Sequence, residues 1–246
     1  MANGTMIIKR DGTKEHLNID KIHKVVEHAC EGLAGVSSSQ IEMNANIQFY
    51  DGMTTNEIQE VLVRSANDLI SLDTPNYQYA AARLLCYSVN KMVFGEYNAI
   101  TLQKNIERNI ERNVYDPSIL DVYTADEIAM LDSYIKHKRD ENFTYAGLRQ
   151  VVDKYLCQDR SSGEIFETPQ FMYMMIAATL FAQYPAETRM HYVRRYYDAT
   201  SLFRVNIPTP VMAGVRTPVR QFASCVLVDS NDCLLYTSDA ADDSLR

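Results

Sequence analysis

The 246-residue sequence predicts a mainly α-helical fold that opens with one small β-hairpin. Asp11-Gly12 stands between two short segments with apolar tips, and this dipeptide is a strong sequence signal for a hairpin turn. Behind it, apolar residues recur with helical spacing over most of the chain, and several of these segments follow a Ser/Thr-x-x-Glu/Gln pattern. An apolar content of 46% over this length suits a globular protein with a sizeable core.

Composition excludes several functional classes. The formal net charge of −8 argues against a dedicated nucleic-acid surface, so a basic nucleotide site has to be local. No segment approaches the roughly 18 apolar residues of a transmembrane helix, and no secretory-type apolar segment opens the chain. The cysteines are widely spaced without a CxxC pair, which favours reduced thiols over disulfides or a zinc site. We therefore expect a cytoplasmic protein with no metal site and no membrane or nucleic-acid partner.

The hairpin runs directly into the first predicted helix, and positive charge gathers at this junction. Lys9, Arg10 and Lys21 supply the charge, and Glu15 and Asn18 offer hydrogen-bond partners. A tight turn, basic side chains and a helix N-terminus can together hold a polyphosphate. The alternative is a solvated hairpin with ordinary surface lysines, and these residues alone do not decide between the two.

Four helices are predicted in the next eighty residues. The first ends near Gly32, and the second opens with a capping box at Ser37–Gln40 and continues through Ile47. The third opens with a capping box at Thr54–Glu57. The fourth runs from Pro75 to about Lys91, with Gly95 beyond it. With the hairpin, these helices make a compact unit of about a hundred residues, a normal size for an independent domain.

Four blocks in this part of the chain carry a family resemblance: 9–12, 18–22, 51–55 and 73–84. In this order they resemble the ATP-cone, the regulatory nucleotide-binding module that opens the large (α) subunit of class I ribonucleotide reductases. The resemblance implies a four-helix bundle capped by short β-strands over residues 1–95. It also implies that ATP or dATP, accompanied by Mg²⁺, is surrounded by Lys9, Arg10, Glu15, Asn18, Lys21, Thr55, Gln59 and Lys91.

The residue types suit a triphosphate. Lys9, Arg10 and Lys91 can neutralise phosphate charge, and arginine adds planar bidentate contacts. Thr55 stands near a helix start, where its hydroxyl and backbone N–H groups can face an anion, although it could equally be a simple N-cap. Some family members have histidine in place of Gln59, which leaves a base or ribose contact at this position open.

The middle of the chain, 96–204, predicts a helical domain. Helix starts are expected at Asp116-Pro117, Thr124–Glu127 and Thr168-Pro169, and the apolar run after Pro169 is expected to be buried nearly all round. Its Met and Tyr residues are more typical of core packing than of a cofactor pocket. His137, among basic neighbours, is expected on the solvated surface. The blocks at 154–156, 168–178 and 192–198 resemble the N-terminal helical domain of the same reductase subunit.

Residues 205–218 contain three prolines and are predicted to be extended, and 221–228 read as a short buried strand. The blocks 208–210, 214–218 and 224–225 resemble the entry into the reductase's ten-stranded α/β barrel, so 205–232 would start that barrel. The resemblance implies that Thr209 and Ser224 contact a nucleoside diphosphate and that Asp232 belongs to the specificity-effector site. It also makes Cys225 one of two cysteines that supply two electrons by forming a disulfide.

The last fourteen residues, 233–246, depart from the family pattern. Back-translation of 233–242 can be written tgt ctc tta tac aca tct gac gct gcc gac, which resembles read-through into a sequencing adapter. We therefore expect 233–246 to be an artefact on a truncated gene. We also expect this chain to be inactive alone, because the family's radical cysteine and the partner of Cys225 would lie further downstream.

The sequence leaves two functional hypotheses. The first is a fragment of a ribonucleoside-diphosphate reductase large subunit, with an ATP/dATP activity site and no metal of its own. Its implied partners are a radical-generating β subunit, a second α subunit, and thioredoxin or glutaredoxin as reductant. The alternative is a freestanding ATP-cone regulator with an unrelated helical domain. The blocks at 208–225 favour the first, because a nucleotide sensor does not need a substrate threonine beside a redox cysteine.

Overall fold

A computed structural model describes residues 5–95, 99–223 and 225. The sites predicted at Ser224 and Asp232 and the segment 233–246 lie outside these described residues. Within the described residues the fold is mainly helical with small sheets, as the sequence predicts. No helix in this part of the chain is long and apolar enough to cross a membrane.

A three-stranded sheet opens the structure. Strand β1 (Met6–Ile8) pairs antiparallel with β2 (Lys14–His16) and parallel with β3 (Met53–Thr54), in the order β2-β1-β3. The predicted hairpin is confirmed: Gly12 adopts φ +81° in the turn, and its N–H donates to the Lys9 carbonyl at 2.9 Å. The third strand was not predicted, because two residues are too short to show a period-2 pattern.

Four helices pack beneath this sheet: α1 (Ile19–Cys30), α2 (Ser38–Asn46), α3 (Thr55–Asn67) and α4 (Tyr77–Phe94). The capping box before α3 is confirmed, since Thr54 Oγ1 accepts from the Glu57 N–H and the Glu57 carboxylate accepts from the Thr54 N–H. Gly95 ends α4 with φ +78°, a left-handed conformation that glycine adopts without strain.

The prediction for α2 is wrong at its opening and at its end. Ser37 is its N-cap, but its side chain makes no capping hydrogen bond. The Tyr77 hydroxyl intervenes: it accepts from the Ser37 N–H at 3.0 Å and donates to Gln40 Oε1 at 2.7 Å. The helix also ends at Asn46, so Ile47 lies outside it and is 85% exposed.

The remaining helices are α5 (Leu102–Glu111), α6 (Ile119–Val122), α7 (Ala125–Tyr134), a 3₁₀ helix (His137–Asn142), α8 (Tyr145–Lys154), α9 (Pro169–Leu180), α10 (Ala186–Ser201) and α11 (Thr209–Gly214). A two-stranded antiparallel sheet, β4 (Gln158–Asp159) with β5 (Glu164–Ile165), lies between α8 and α9. The predicted start at Thr124–Glu127 is confirmed as a capping box, and α9 is buried from Pro169 to Ala178 as expected.

Three expectations for this part are wrong or not met. Thr209–Gly214 is helical, because Pro210 occupies the first helical turn, where its missing N–H has no intrahelical partner to lose. His137 is partly buried rather than on the solvated surface. Its ring lies edge-to-face against that of Phe171, with 5.1 Å between the ring centroids, and burial lowers its pKa. Residues 221–223 are exposed and outside any strand, so the first barrel strand stays a prediction.

Helix α4 joins the amino-terminal four-helix unit to the helices that follow it. It packs on α1 and α3 with one side and on α8, β5 and the 3₁₀ helix with another. Near its end, Met92 Sδ accepts from the Ile165 N–H at 3.4 Å, the Val93 carbonyl accepts from Arg108 at 2.6 Å, and the Phe94 ring meets Phe171. The last turn of α4 therefore contacts β5, α5 and α9.

Candidate functional site

A cavity of about 420 Å³ lies between the hairpin, α1, α3 and the end of α4. The structure brings all the residues predicted for the nucleotide site to its walls: Lys9, Arg10, Glu15, Asn18, Lys21, Thr55, Gln59 and Lys91. Its volume falls within the roughly 300–1,000 Å³ of small-molecule sites. The hairpin and Lys91 are far apart in the sequence, so the tertiary fold assembles this wall.

Arg10 fixes the hairpin against the helices. Its Nε donates to Asn56 Oδ1 at 3.0 Å, and one Nη donates to the Lys91 carbonyl at 2.9 Å. The guanidinium therefore ties the turn to the start of α3 and to the end of α4. Partial burial lowers the pKa of Arg10 below its ordinary value. The second Nη makes no hydrogen bond among the described residues and is free for a ligand.

Helix starts supply further polar groups at the rim. Asn18 caps α1, its Oδ1 accepting from the Lys21 N–H at 3.0 Å. Thr54, rather than Thr55, caps α3. Thr55 is therefore the first helical residue, and its simple N-cap interpretation is wrong. A threonine hydroxyl and unpaired first-turn N–H groups at a helix start suit an anion.

The charges around this cavity do not balance. Four of its lining residues are cations and two are acids, and both acids are engaged within the hairpin. Glu15 pairs with Lys9 at 2.7 Å, and Asp11 accepts from the backbone and hydroxyl of Thr13 at 2.9 and 2.6 Å. Among the residues that the structure describes, Arg10, Lys21 and Lys91 have no acidic partner within ion-pair distance.

The consequence is most evident at Lys91. Burial of part of its side chain, followed by repulsion from Arg10, Lys21 and Lys9, lowers the pKa of this amine below its usual value. Its charge is therefore tolerated rather than stabilised by the protein alone. An anion between these groups would reverse that balance, because each opposite charge favours the protonated amine.

The cavity also has an apolar wall, which sequence patterns did not identify. Its side chains come from β1, the segment before α1, α1 itself and α3: Ile7, Leu17, Ile22, Val25, Ile58 and Leu62. Gln59 adjoins this wall, and its Nε2 donates to the Leu84 carbonyl at 2.7 Å, which leaves Oε1 as an acceptor. The alternation of residues along β1 could have indicated that Ile7 is buried. It could not have indicated that Ile7 lines a cavity.

The other predicted site residues lie elsewhere. Thr209 is the exposed first residue of α11, and its Oγ1 is 3.3 Å from the Tyr155 hydroxyl. Cys225 is exposed, so the structure does not bring it into a buried site with Thr209. Among the described residues, no cluster of three or more His, Cys, Asp or Glu side chains could hold a metal ion.

Comparison with known proteins matches two segments of the chain to known domains. Residues 5–92 match the ATP cone domain, and residues 141–220 match the ribonucleotide reductase all-alpha domain. An ATP cone implies that a nucleotide effector binds the first of these segments, and that segment contains all eight predicted lining residues.

Similar sequences agree over nearly the whole chain. It is 48% identical over 234 residues to the ribonucleoside-diphosphate reductase subunit alpha of Haemophilus influenzae, and 47% identical to the ribonucleoside-diphosphate reductase 1 subunit alpha of Escherichia coli. The corresponding protein of Enterobacteria phage T4 is 42% identical over 237 residues. These alignments cover 95–96% of this chain but 31% of each relative, so the chain spans about a third of the length of the curated relatives that it matches.

Proposed function

Because this chain belongs to the family of ribonucleoside-diphosphate reductase alpha subunits, we propose that its hairpin cavity binds ATP or dATP as an allosteric effector. One observation carries the proposal: Arg10, Lys21 and Lys91 converge on the cavity without an acidic partner among the described residues. A triphosphate supplies the missing negative charge, and Mg²⁺ accompanies it in solution.

The two walls of the cavity indicate how the nucleotide lies. The phosphates belong beside Lys9, Arg10, Lys21 and Lys91, with the start of α3 at Thr55 adding N–H and hydroxyl donors. The purine and ribose belong against the apolar wall, where the free carbonyl oxygen of Gln59 accepts from a hydroxyl or amino group of the nucleoside. Glu15 has to share Lys9 with the phosphates.

The test is calorimetric titration of the 246-residue protein with ATP and with dATP. Lys91→Gln removes the charge with little change in helix propensity, and we expect it to weaken binding about tenfold or more. Lys24→Gln is the matched control: Lys24 lies on α1 near Lys21 but does not line the cavity. We expect this control to bind within about twofold of wild type. Equal affinities for wild type and Lys91→Gln would remove the proposed site.

We further propose that the chain forms the amino-terminal part of a subunit that reduces ribonucleoside diphosphates to deoxyribonucleotides in the cytoplasm for DNA synthesis. In this proposal, residues 1–95 regulate, 96–204 form the helical domain and 205–232 begin the α/β barrel. Thr209 and Ser224 contact the substrate, Cys225 is one of the two thiols oxidised, and Asp232 belongs to the specificity site. A β subunit initiates the radical reaction, a second α subunit completes the dimer, and thioredoxin or glutaredoxin restores the thiols.

A chimera tests this larger proposal. Residues 1–225 replace the matching segment of the Escherichia coli relative, and reductase activity is assayed with that organism's β subunit. We expect activity that Cys225→Ser abolishes. Activity that survives this substitution would contradict the redox role. The alternative of a freestanding regulator is disfavoured, because 141–220 match the all-alpha domain of the reductase.

A further inference from the structure

A fully buried ion pair lies at the centre of the later helices. The side chains of Arg216 and Glu167 have no exposed surface, and Arg216 Nε donates to both carboxylate oxygens at 3.1 and 2.9 Å. The same carboxylate accepts from the Tyr115 hydroxyl at 2.5 Å and from the Cys157 N–H at 2.7 Å. Glu167 is therefore held by three separate parts of the chain, and it in turn orients the guanidinium.

The two Nη atoms of Arg216 donate to two backbone carbonyls, one that precedes Thr209 in the sequence and one that follows it. One Nη donates to the Met212 carbonyl within α11, and the other donates to the Tyr155 carbonyl at 2.9 Å. The Tyr155 hydroxyl is 3.3 Å from Thr209 Oγ1. One side chain thus holds both the helix that carries Thr209 and the residue that contacts the Thr209 hydroxyl.

Stability alone is a poor explanation for this arrangement. Removing two charges from water costs several kcal/mol each, and replacing a buried ion pair with apolar groups of similar size is often neutral or stabilising. A planar guanidinium with donors in a fixed fork does, however, define geometry. Here the fork engages a carboxylate and two carbonyls at once, which a smaller or apolar side chain cannot do.

We propose that Arg216 is a positioning residue: through Met212 and Tyr155 it sets the place of α11 and so presents Thr209. This role rests on the proposed contact between Thr209 and a nucleoside diphosphate. The guanidinium itself has no exposed surface at which a ligand could contact it. Its effect is to keep a six-residue helix, too short to be stable alone, in one orientation.

Hydrogen exchange on the 246-residue protein tests the proposal with two variants. Arg216→Lys keeps the charge that balances Glu167 but cannot reach both carbonyls. The double variant Arg216→Met/Glu167→Gln removes both charges, and its new amide can still bond to Cys157 and Tyr115. Arg220→Lys is the matched control, because this nearby arginine pairs with Asp116 at the surface.

We expect exchange at the Met212 amide of α11 and at the amide of Val215, its C-cap, to accelerate at least tenfold in both variants and to stay unchanged in the control. The unfolding midpoint of the double variant should stay within about 4 °C of wild type. Unchanged exchange at α11 in both variants would overturn the proposal. Exchange that accelerates equally in α9 and α10, with a large fall of the midpoint in Arg216→Lys, would also overturn it by showing a general structural role.

This measurement is independent of nucleotide binding. If Thr209 proves not to contact substrate, the α11 result still stands as a statement about Arg216. If α11 exchange is unaffected, the proposed role of Thr209 survives without this positioning device. The two failures are therefore distinguishable.

Discussion

Among the described residues, positive charge is unpaired at the hairpin cavity and paired at the buried Arg216–Glu167 ion pair, which is called the Arg216 centre below. At the cavity, partial burial and then repulsion from three other cations lower the pKa of Lys91. At the Arg216 centre, burial alone opposes the charge, but Glu167 outweighs it, so the pKa of Arg216 lies above its ordinary value. The first site keeps donors unpaired beside solvent, and the second uses all three nitrogens of one guanidinium on fixed protein atoms.

The difference separates binding from positioning. Unpaired cations cost free energy until an anion arrives, so their presence at a cavity indicates a ligand. A fully paired buried cation has nothing left to offer a ligand, and its effect falls on the backbone that it holds. Substitutions at the two sites should therefore differ in kind, with loss of stability at one and loss of ligand response at the other.

The largest effect is expected from breaking the buried pair on one side. Arg216→Met leaves Glu167 buried without its partner, and we expect the free energy of unfolding to fall by about 3–5 kcal/mol. Urea denaturation at neutral pH measures this change. The surface variant Arg220→Met should cost less than about 1 kcal/mol, since exposed ion pairs contribute little. A loss as small for Arg216→Met would contradict the premise that this substitution leaves an unpaired buried charge at Glu167.

A second buried charge in the same region lacks a cationic partner among the described residues. Asp140 is buried and accepts from Gln170 Nε2 at 2.7 Å, and burial raises its pKa to about 7. Below about pH 4 the carboxyl is protonated in the folded and the unfolded chain alike. Between about pH 4 and 7 the unfolded chain binds fewer protons, so stability falls as pH rises through this window and levels off above it.

Asp140→Asn removes this titration. We therefore expect the variant to gain stability over wild type progressively from about pH 4 to 7, by about 4 kcal/mol in total. Urea denaturation at a series of pH values measures the difference. The surface control Asp153→Asn should follow the wild-type profile. A difference between Asp140→Asn and wild type that does not change with pH would show that Asp140 is ionised throughout this range.

Local patterns predicted much of this molecule. The Asp11-Gly12 turn and the two capping boxes at Thr54 and Thr124 depend on close neighbours in the sequence, and the structure contains all three. Five cavity residues were predicted from the charged junction of hairpin and helix, and the resemblance to the ATP-cone added Thr55, Gln59 and Lys91. The fold brings all eight together.

What the sequence could not predict depends on distant partners. The capping box at Ser37–Gln40 does not form; the Tyr77 hydroxyl, 40 positions later, accepts from the Ser37 N–H in place of the Gln40 side chain. His137 is covered by Phe94 and Phe171, which belong to other helices. The pairing of Arg216 with Glu167 spans 49 positions and leaves no periodic signal. Proline was overweighted at α11, where Pro210 suits a first helical turn.

The central claim is that the cavity keeps its cations unpaired for a triphosphate. Thermal unfolding of wild type, Lys91→Gln and Lys24→Gln, each without ATP and with ATP at about ten times the wild-type Kd, tests it most directly. We predict that Lys91→Gln without ATP unfolds at or above the wild-type midpoint and loses most of the ATP-induced rise, whereas Lys24→Gln keeps it. An ATP-induced rise of equal size in all three proteins would contradict the claim.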